Sequence, residues 1–214
     1  MPTCLRLSLV LAFLLLLPAA AHAQRPVTFG AGIGYLTAGG GDPAWDGGDT
    51  RGPAAALALG LKLGRHTALV AEGGFQRFGT LRNSFACDET QCVNPQTFST
   101  VERRSGITVD LLFRLHSAAA RVRPYGVIGL GHATMRPRAR TIGTAPDGTI
   151  LTDDSYGSDS QAFGVVVGGG IEVGSPDASL AFTAGVRARA AVSGYDGGPT
   201  LVRMGSIVAG VVFR

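Results

Sequence analysis

From Val27 onward the chain alternates with period two, and its two parities differ in kind. Alternation at this period sends successive side chains to opposite faces of a strand. The fourth segment is the cleanest: Ile107, Val109, Leu111, Phe113 and Leu115 face one way, with Thr108, Asp110, Arg114 and His116 facing the other. The same pattern runs through Val27 to Tyr35, Leu57 to Leu63, 67–79, 122–139, Phe163 to Val173, Leu180 to Ala188 and 200–214. In 122–139 both registers are apolar, and the reading places Ile128 and Leu130 on the apolar face with Arg123, Gly129 and Gly131 opposite. The result is eight strands of roughly 11 to 18 residues, against five or six in an ordinary soluble strand.

Connections alternate in length. Long ones are expected at 38–53, 80–104, 140–160 and, shorter, 194–199, all rich in Gly, Asp and Thr and expected to be mobile. Short turns fall at Gly64-Arg65-His66, Ser117 to Arg121 and Ser175-Pro176-Asp177. This describes an antiparallel up-and-down meander, with loops on one rim and turns on the other. Two closed eight-stranded architectures share it: a soluble barrel with apolar residues inside, and a membrane barrel with apolar residues against lipid.

Charge placement separates them. Lys62, Glu72, Asp110, Arg114, Glu172, Arg187 and Arg189 lie well within strands, and all seven fall on the glycine-rich parity. A charge facing mid-bilayer costs about 2–4 kcal/mol, whereas glycines on a narrow inner face leave room for long charged side chains. Four of the seven are cations and three are anions, so a nearly neutral lumenal network is expected. Arg77 and Arg203 fall on the apolar parity near loop-side strand ends, where long side chains snorkel. On that parity Tyr35, Phe75 and Phe163 cluster near one rim, and Phe29, Phe113, Phe182 and Phe213 near the other, as two interfacial belts would. The expected fold is therefore an all-β, eight-stranded antiparallel up-and-down transmembrane β-barrel with long extracellular loops and short periplasmic turns.

The N-terminus carries the three parts of an export signal: Arg6, the apolar run Leu7 to Leu17, and Ala21-His22-Ala23 before Gln24. The domain reading is a secretory signal at 1–23 and one barrel domain at 24–214. No later apolar run reaches the ~20 residues of a spanning helix. The 18 Arg are scattered and accompanied by a single Lys, which argues against a nucleic-acid partner. Cys87 and Cys92 are expected to form a small disulfide loop in an oxidising compartment. The neighbouring Asp88 and Glu89 supply no histidine and no four-ligand zinc spacing, so no metal is expected.

The exported chain, the eight strands, the segment Arg123-Pro124-Tyr125-Gly126-Val127-Ile128-Gly129-Leu130-Gly131 and the closing alternation through Phe213 resemble the small outer-membrane β-barrels of the OmpA/OmpX type. The resemblance spans 25–214, and its motifs are generic. It implies residence in the outer membrane, contact with membrane lipid and lipopolysaccharide, and Phe213 as an assembly signal for the barrel-insertion machinery. Arg214 follows Phe213, a departure that implies weaker recognition by that machinery.

The sequence points to no catalytic residues and no cofactor. His66 falls in a short turn and His116 at a strand end, His132 has no Ser or Glu placed beside it by register, and the Gly-rich runs neither open a helix nor carry a phosphate-loop Lys. The loop aspartates lack calcium-loop spacing. Arg136, Arg138 and Arg140 share a face at the outer end of the fifth strand, where their guanidinium forks suit lipopolysaccharide phosphates. The expected role is a monomeric, non-enzymatic envelope barrel with a plugged polar lumen, serving structure or surface adhesion toward an extracellular partner. A narrow channel, a lipopolysaccharide-modifying enzyme and a soluble periplasmic ligand-binding barrel are the alternatives.

Overall fold

The computed structural model describes residues 27–40, 50–87, 96–117, 121–175, 178–195 and 198–214. The export-signal reading at 1–23 lies outside them. Nine strands follow in chain order: β1 Val27–Gly40, β2 Arg51–Lys62, β3 Thr67–Cys87, β4 Gln96–His116, β5 Val122–Thr144, β6 Ile150–Gly157, β7 Ser160–Val173, β8 Leu180–Tyr195 and β9 Gly198–Phe213. Each pairs antiparallel with its neighbours, and β9 returns to pair with β1. Eight strands close the ring, with β6 as an extension.

Following cross-strand partners from Phe29 through Leu59, Ala71, Leu111, Leu130, Val165, Ala190 and Arg203 leads back to β1 at Gly39, a stagger of ten residues. With ordinary rise and strand spacing, this stagger tilts the strands by roughly 40°. Ten is even, so a residue that starts on the outer face ends on the outer face. Large apolar side chains of that parity are exposed on every wall, among them Ile33 at 73 %, Phe182 at 62 % and Ile207 at 66 %. So broad an apolar exterior is a surface for lipid. Ile128 and Leu130 stand on it, with Arg123, Gly129 and Gly131 on the opposite parity of β5.

Two expected loops are largely strand. β3 and β4 stay paired out to Cys87↔Gln96, with Phe85 and Phe98 stacked 4.9 Å apart. Thr, Val and Phe in this stretch favour an extended backbone, and the stacked rings hold the hairpin beyond the apolar belt. Within 140–160, β6 pairs with β5 in the register that β7 continues, and the break between them lies opposite Arg136 and Pro137. Pro137 has no N–H to donate there. The hairpin between β5 and β6 turns at Gly148, whose φ of +88° suits glycine. β8 and β9 extend to Tyr195 and from Gly198, leaving little of the loop expected at 194–199.

The inner face is less polar than its sequence parity suggests. Leu36, Phe78, Met135 and Met204 pack with Ala133, Ala162, Ala191 and Val202 into an apolar plug toward the loop rim. Leu112, Val70 and Val166 form a second inner cluster. Small alanines opposite large side chains let the narrow lumen fill with apolar groups beside its charges.

Glycine on the inner wall is spatially required where the charges cross. A Cβ at Gly131 would run into the Asp110 carboxylate and stand 2.9 Å from Val166 Cγ2 and 3.0 Å from Arg189 Nε. At Gly73, on the outer face, an added Cβ meets nothing within 4 Å. Gly131→Ala is expected to lower barrel stability by about 1–3 kcal/mol. Gly73→Ala should stay within about 0.5 kcal/mol, both read from urea midpoints in micelles.

Candidate functional site

The charged lumen is the candidate site. Glu72 and Asp110 are cross-strand partners on β3 and β4, so strand pairing alone sets two carboxylates side by side. Arg187 and Arg189 alternate on β8, which places both guanidiniums on the inner face of a wall far around the ring. Each arginine takes one carboxylate. Arg187 Nη2 lies 3.6 Å from Glu72 Oε2, and Arg189 Nη2 donates to both oxygens of Asp110. The Asp110–Arg189 pair is almost fully buried, at 5 % and 7 % exposure. These are ties across the barrel, and the repulsion between adjacent carboxylates is offset by cations from the facing wall.

Nearer the turn rim, Glu172 is a hub. Arg114 Nη2 donates to it at 3.3 Å, Arg123 and Arg214 donate to its other oxygen, and His116 Nε2 lies 3.7 Å away. Arg123 and Glu172 are cross-strand partners. The Arg114 guanidinium stacks 3.7 Å over the Tyr125 ring, whose hydroxyl bonds Thr183 Oγ1 at 3.2 Å. A cation over an aromatic face in a dry site gains from the ring quadrupole.

Six of the seven charges expected in the lumenal network thus meet partners there: Glu72, Asp110, Arg114, Glu172, Arg187 and Arg189. Lys62 does not. It ends β2 at the turn-side mouth, exposed, and among the described residues it forms no ion pair. Its position at a strand end, where water competes, is the reason. Sequence reading missed Arg214 and Tyr125, and placed His116 on this face without joining it to Glu172. Arg214 continues the inner parity of β9 and donates from Nη1 to the Ser175 carbonyl at 3.0 Å. That parity was the available signal. Arg123 was placed inside but not joined to Glu172, because the β5–β7 register was not yet known.

Arg136, Arg138 and Arg140 lie on the outer parity of β5 and bond to carboxylates. Asp159 takes Arg136 at 3.3 Å and Arg138 at 3.1 Å, while Asp153 takes Arg140 at 2.6 Å. The Arg140 hydrogen bonds hold the exposed Asp153 carboxyl below its usual range. Arg103 is the cross-strand partner of Arg138, and with Arg138 and Arg140 it lines an outer groove of about 600 Å³. Phe213 lies on the outer face beside Phe29, ring centres 6.4 Å apart. His132 is flanked across strands by Val109 and Phe163. Cys87 ends β3, and Cys92 lies outside the described residues. Among the described residues no cluster of three His, Cys, Asp or Glu is placed to hold a metal.

Removing one partner of a buried pair leaves the other charge stranded in a narrow wall. Asp110→Asn is expected to lower stability by about 3–5 kcal/mol. Adding Arg189→Met should recover part of that loss, whereas Lys62→Met should leave the unfolding midpoint in place. Equal midpoints for Asp110→Asn and the parent would remove this pair from the set of structural ties.

The profile of a family described as outer membrane protein beta-barrel domain matches residues 9–214. No curated protein matches the chain. Among solved structures, Neisserial surface protein A is similar at 15 % identity and a TM-score of 0.48, covering 88 % of this chain and 96 % of that one. Ail, the attachment invasion locus protein of Yersinia pestis, is similar at 14 % identity and a TM-score of 0.43, covering 87 % and 97 %. The N-terminal β-barrel domain of Pseudomonas aeruginosa OprF is similar at 13 % identity and a TM-score of 0.41, covering 88 % and 98 %.

Proposed function

The chain belongs to the outer membrane protein beta-barrel family and resides in the outer membrane, and on that premise we propose that it is a non-enzymatic, monomeric envelope barrel with a plugged lumen. The observation that carries this is the pair of arginine–carboxylate ties across the middle of the barrel, with apolar plugging toward the loop rim. The inner spaces bordered by these ties measure only about 60 and 40 Å³. Each has room for only a few waters. The apolar neighbours of His132 support the non-enzymatic reading. In planar bilayers the parent should give no stepwise conductance. Steps from the parent protein would overturn the plug and favour a narrow channel.

Surface interaction falls to the parts beyond the apolar belt. The β3–β4 and β5–β6 hairpins project there, and the outer face of β4 and β5 carries Arg103, Arg136, Arg138 and Arg140. Lipopolysaccharide phosphate is the proposed lipid partner of that patch, because its cations outnumber its carboxylates. Phe213, on the outer face of the closing strand, is the proposed contact for the insertion machinery. Replacing Arg136, Arg138 and Arg140 together by Ser should lower the lipopolysaccharide carried through purification, and unchanged retention would sink this contact. An extracellular partner would meet the same hairpins.

A further inference from the structure

The turn-side mouth of the barrel is a vestibule of about 620 Å³, and its charge is one-sided. Among the described residues, Lys62, Arg65, Arg114, Arg123 and Arg214 line it together with His66 and His116, against one carboxylate, that of Glu172. At mid-lumen each arginine has its own carboxylate. Here Arg114 and Arg123 share one, which Arg214 also reaches, so these two guanidiniums with Glu172 carry one positive charge beyond neutrality. Lys62 and Arg65 add two more at the rim.

Hydrogen bonding is also incomplete. Among the described residues Arg114 Nε and Arg123 Nε are buried without a hydrogen-bond partner, as are Arg187 Nε and Arg189 Nε at mid-lumen, although both vestibule guanidiniums already bond Glu172 through Nη2. A buried donor left unmade is costly, and so is excess like charge behind a low-dielectric wall. The pairing scheme of the strands holds the cations together. Lys62 pairs with Ala68, and Ala68 pairs with Arg114, so the two cations stand on one inner row with only a methyl between them. Two strand spacings put their backbones about 10 Å apart, with long side chains that converge on the space between.

We propose that this vestibule binds a phosphate-type dianion: a free phosphate, a pyrophosphate or a phosphomonoester group. Tetrahedral oxygens match the forked donors of Arg114 and Arg123, while Lys62 and Arg65 supply charge at the entrance. Two negative charges offset most of the excess that Arg114, Arg123, Lys62 and Arg65 leave over Glu172. The turn rim faces the periplasm in this family, so the ligand comes from that side, either from solution or as a lipid headgroup that ends in a phosphomonoester.

The test is calorimetric titration of inorganic pyrophosphate into the purified protein, folded in non-ionic detergent with chloride as background. Saturable one-to-one binding is expected. In the Lys62→Ala, Arg65→Ala double variant it should weaken by about tenfold, with folding checked by the gel shift between boiled and unboiled samples. Both residues lie outside the buried ties, so the variant is expected to fold. No saturable heat, or equal affinity in parent and variant, would overturn the site. Displacement by an equal concentration of nitrate would overturn it too, since a diffuse counter-ion cloud does not discriminate. Repeating the titration in nanodiscs with and without phosphatidic acid, whose headgroup is a phosphomonoester, separates the sources. Competition by the anionic lipid identifies a headgroup site, and its absence identifies a soluble anion.

Discussion

The pairing of β9 with β1 is the interaction on which the rest of the structure depends. Lipid offers no hydrogen bonds, so a sheet that enters it must satisfy every backbone group internally, and an open edge would leave a row of them bare. Twelve cross-strand partners, from Phe29↔Phe213 to Gly40↔Val202, remove that edge. Closure also creates the lumen, and the lumen decides where charge can go. Ions excluded from the lipid face are collected in a narrow interior, where they must find one another.

Inside, charge and apolar bulk are arranged in levels. The plug of Leu36, Phe78, Met135 and Met204 lies toward the loops, the two carboxylate–arginine ties at mid-height, and the Glu172 hub toward the turns. The ties join strands far apart in the ring, and so resist flattening of the barrel in a way that wall hydrogen bonds do not. The hub is different in kind. Its cations exceed its anions and it opens to solvent, which makes it a site able to respond to what lies outside.

Much of this was legible in the sequence, for one physical reason. Lipid outside and a tight lumen inside impose opposite demands on alternate residues, so parity carries the fold. The β4 run from Ile107 to His116 announces its two faces without any structural knowledge. The inner position of Asp110, Arg187 and Arg189 follows from parity alone. Partner choice does not, because it depends on the stagger. Nothing in the local sequence says that Arg189 reaches Asp110 and not Glu72, or that Arg123 sits opposite Glu172. Lys62 shares the parity but lies at a strand end, where facing inward means facing water. The extended β3–β4 hairpin was hidden for a related reason. Outside the belt both faces meet water, so the alternation that marks a strand within the membrane weakens there.

The ten-residue stagger sets a rule for length changes in this chain. Because the closed path returns with its sides preserved, each wall can gain or lose residues only in pairs. A single insertion between Leu57 and Lys62, for example, would turn every later side chain of β2 inside out, sending leucines to the lumen and Lys62 to lipid. The irregularity in β3 between Arg77 and Thr80 contains such a one-residue slip. It lies where the wall leaves the apolar belt, so the inversion reaches only side chains with water on both faces. Beyond that level the strands are free of the two-residue rule, and the projecting hairpins can change length one residue at a time.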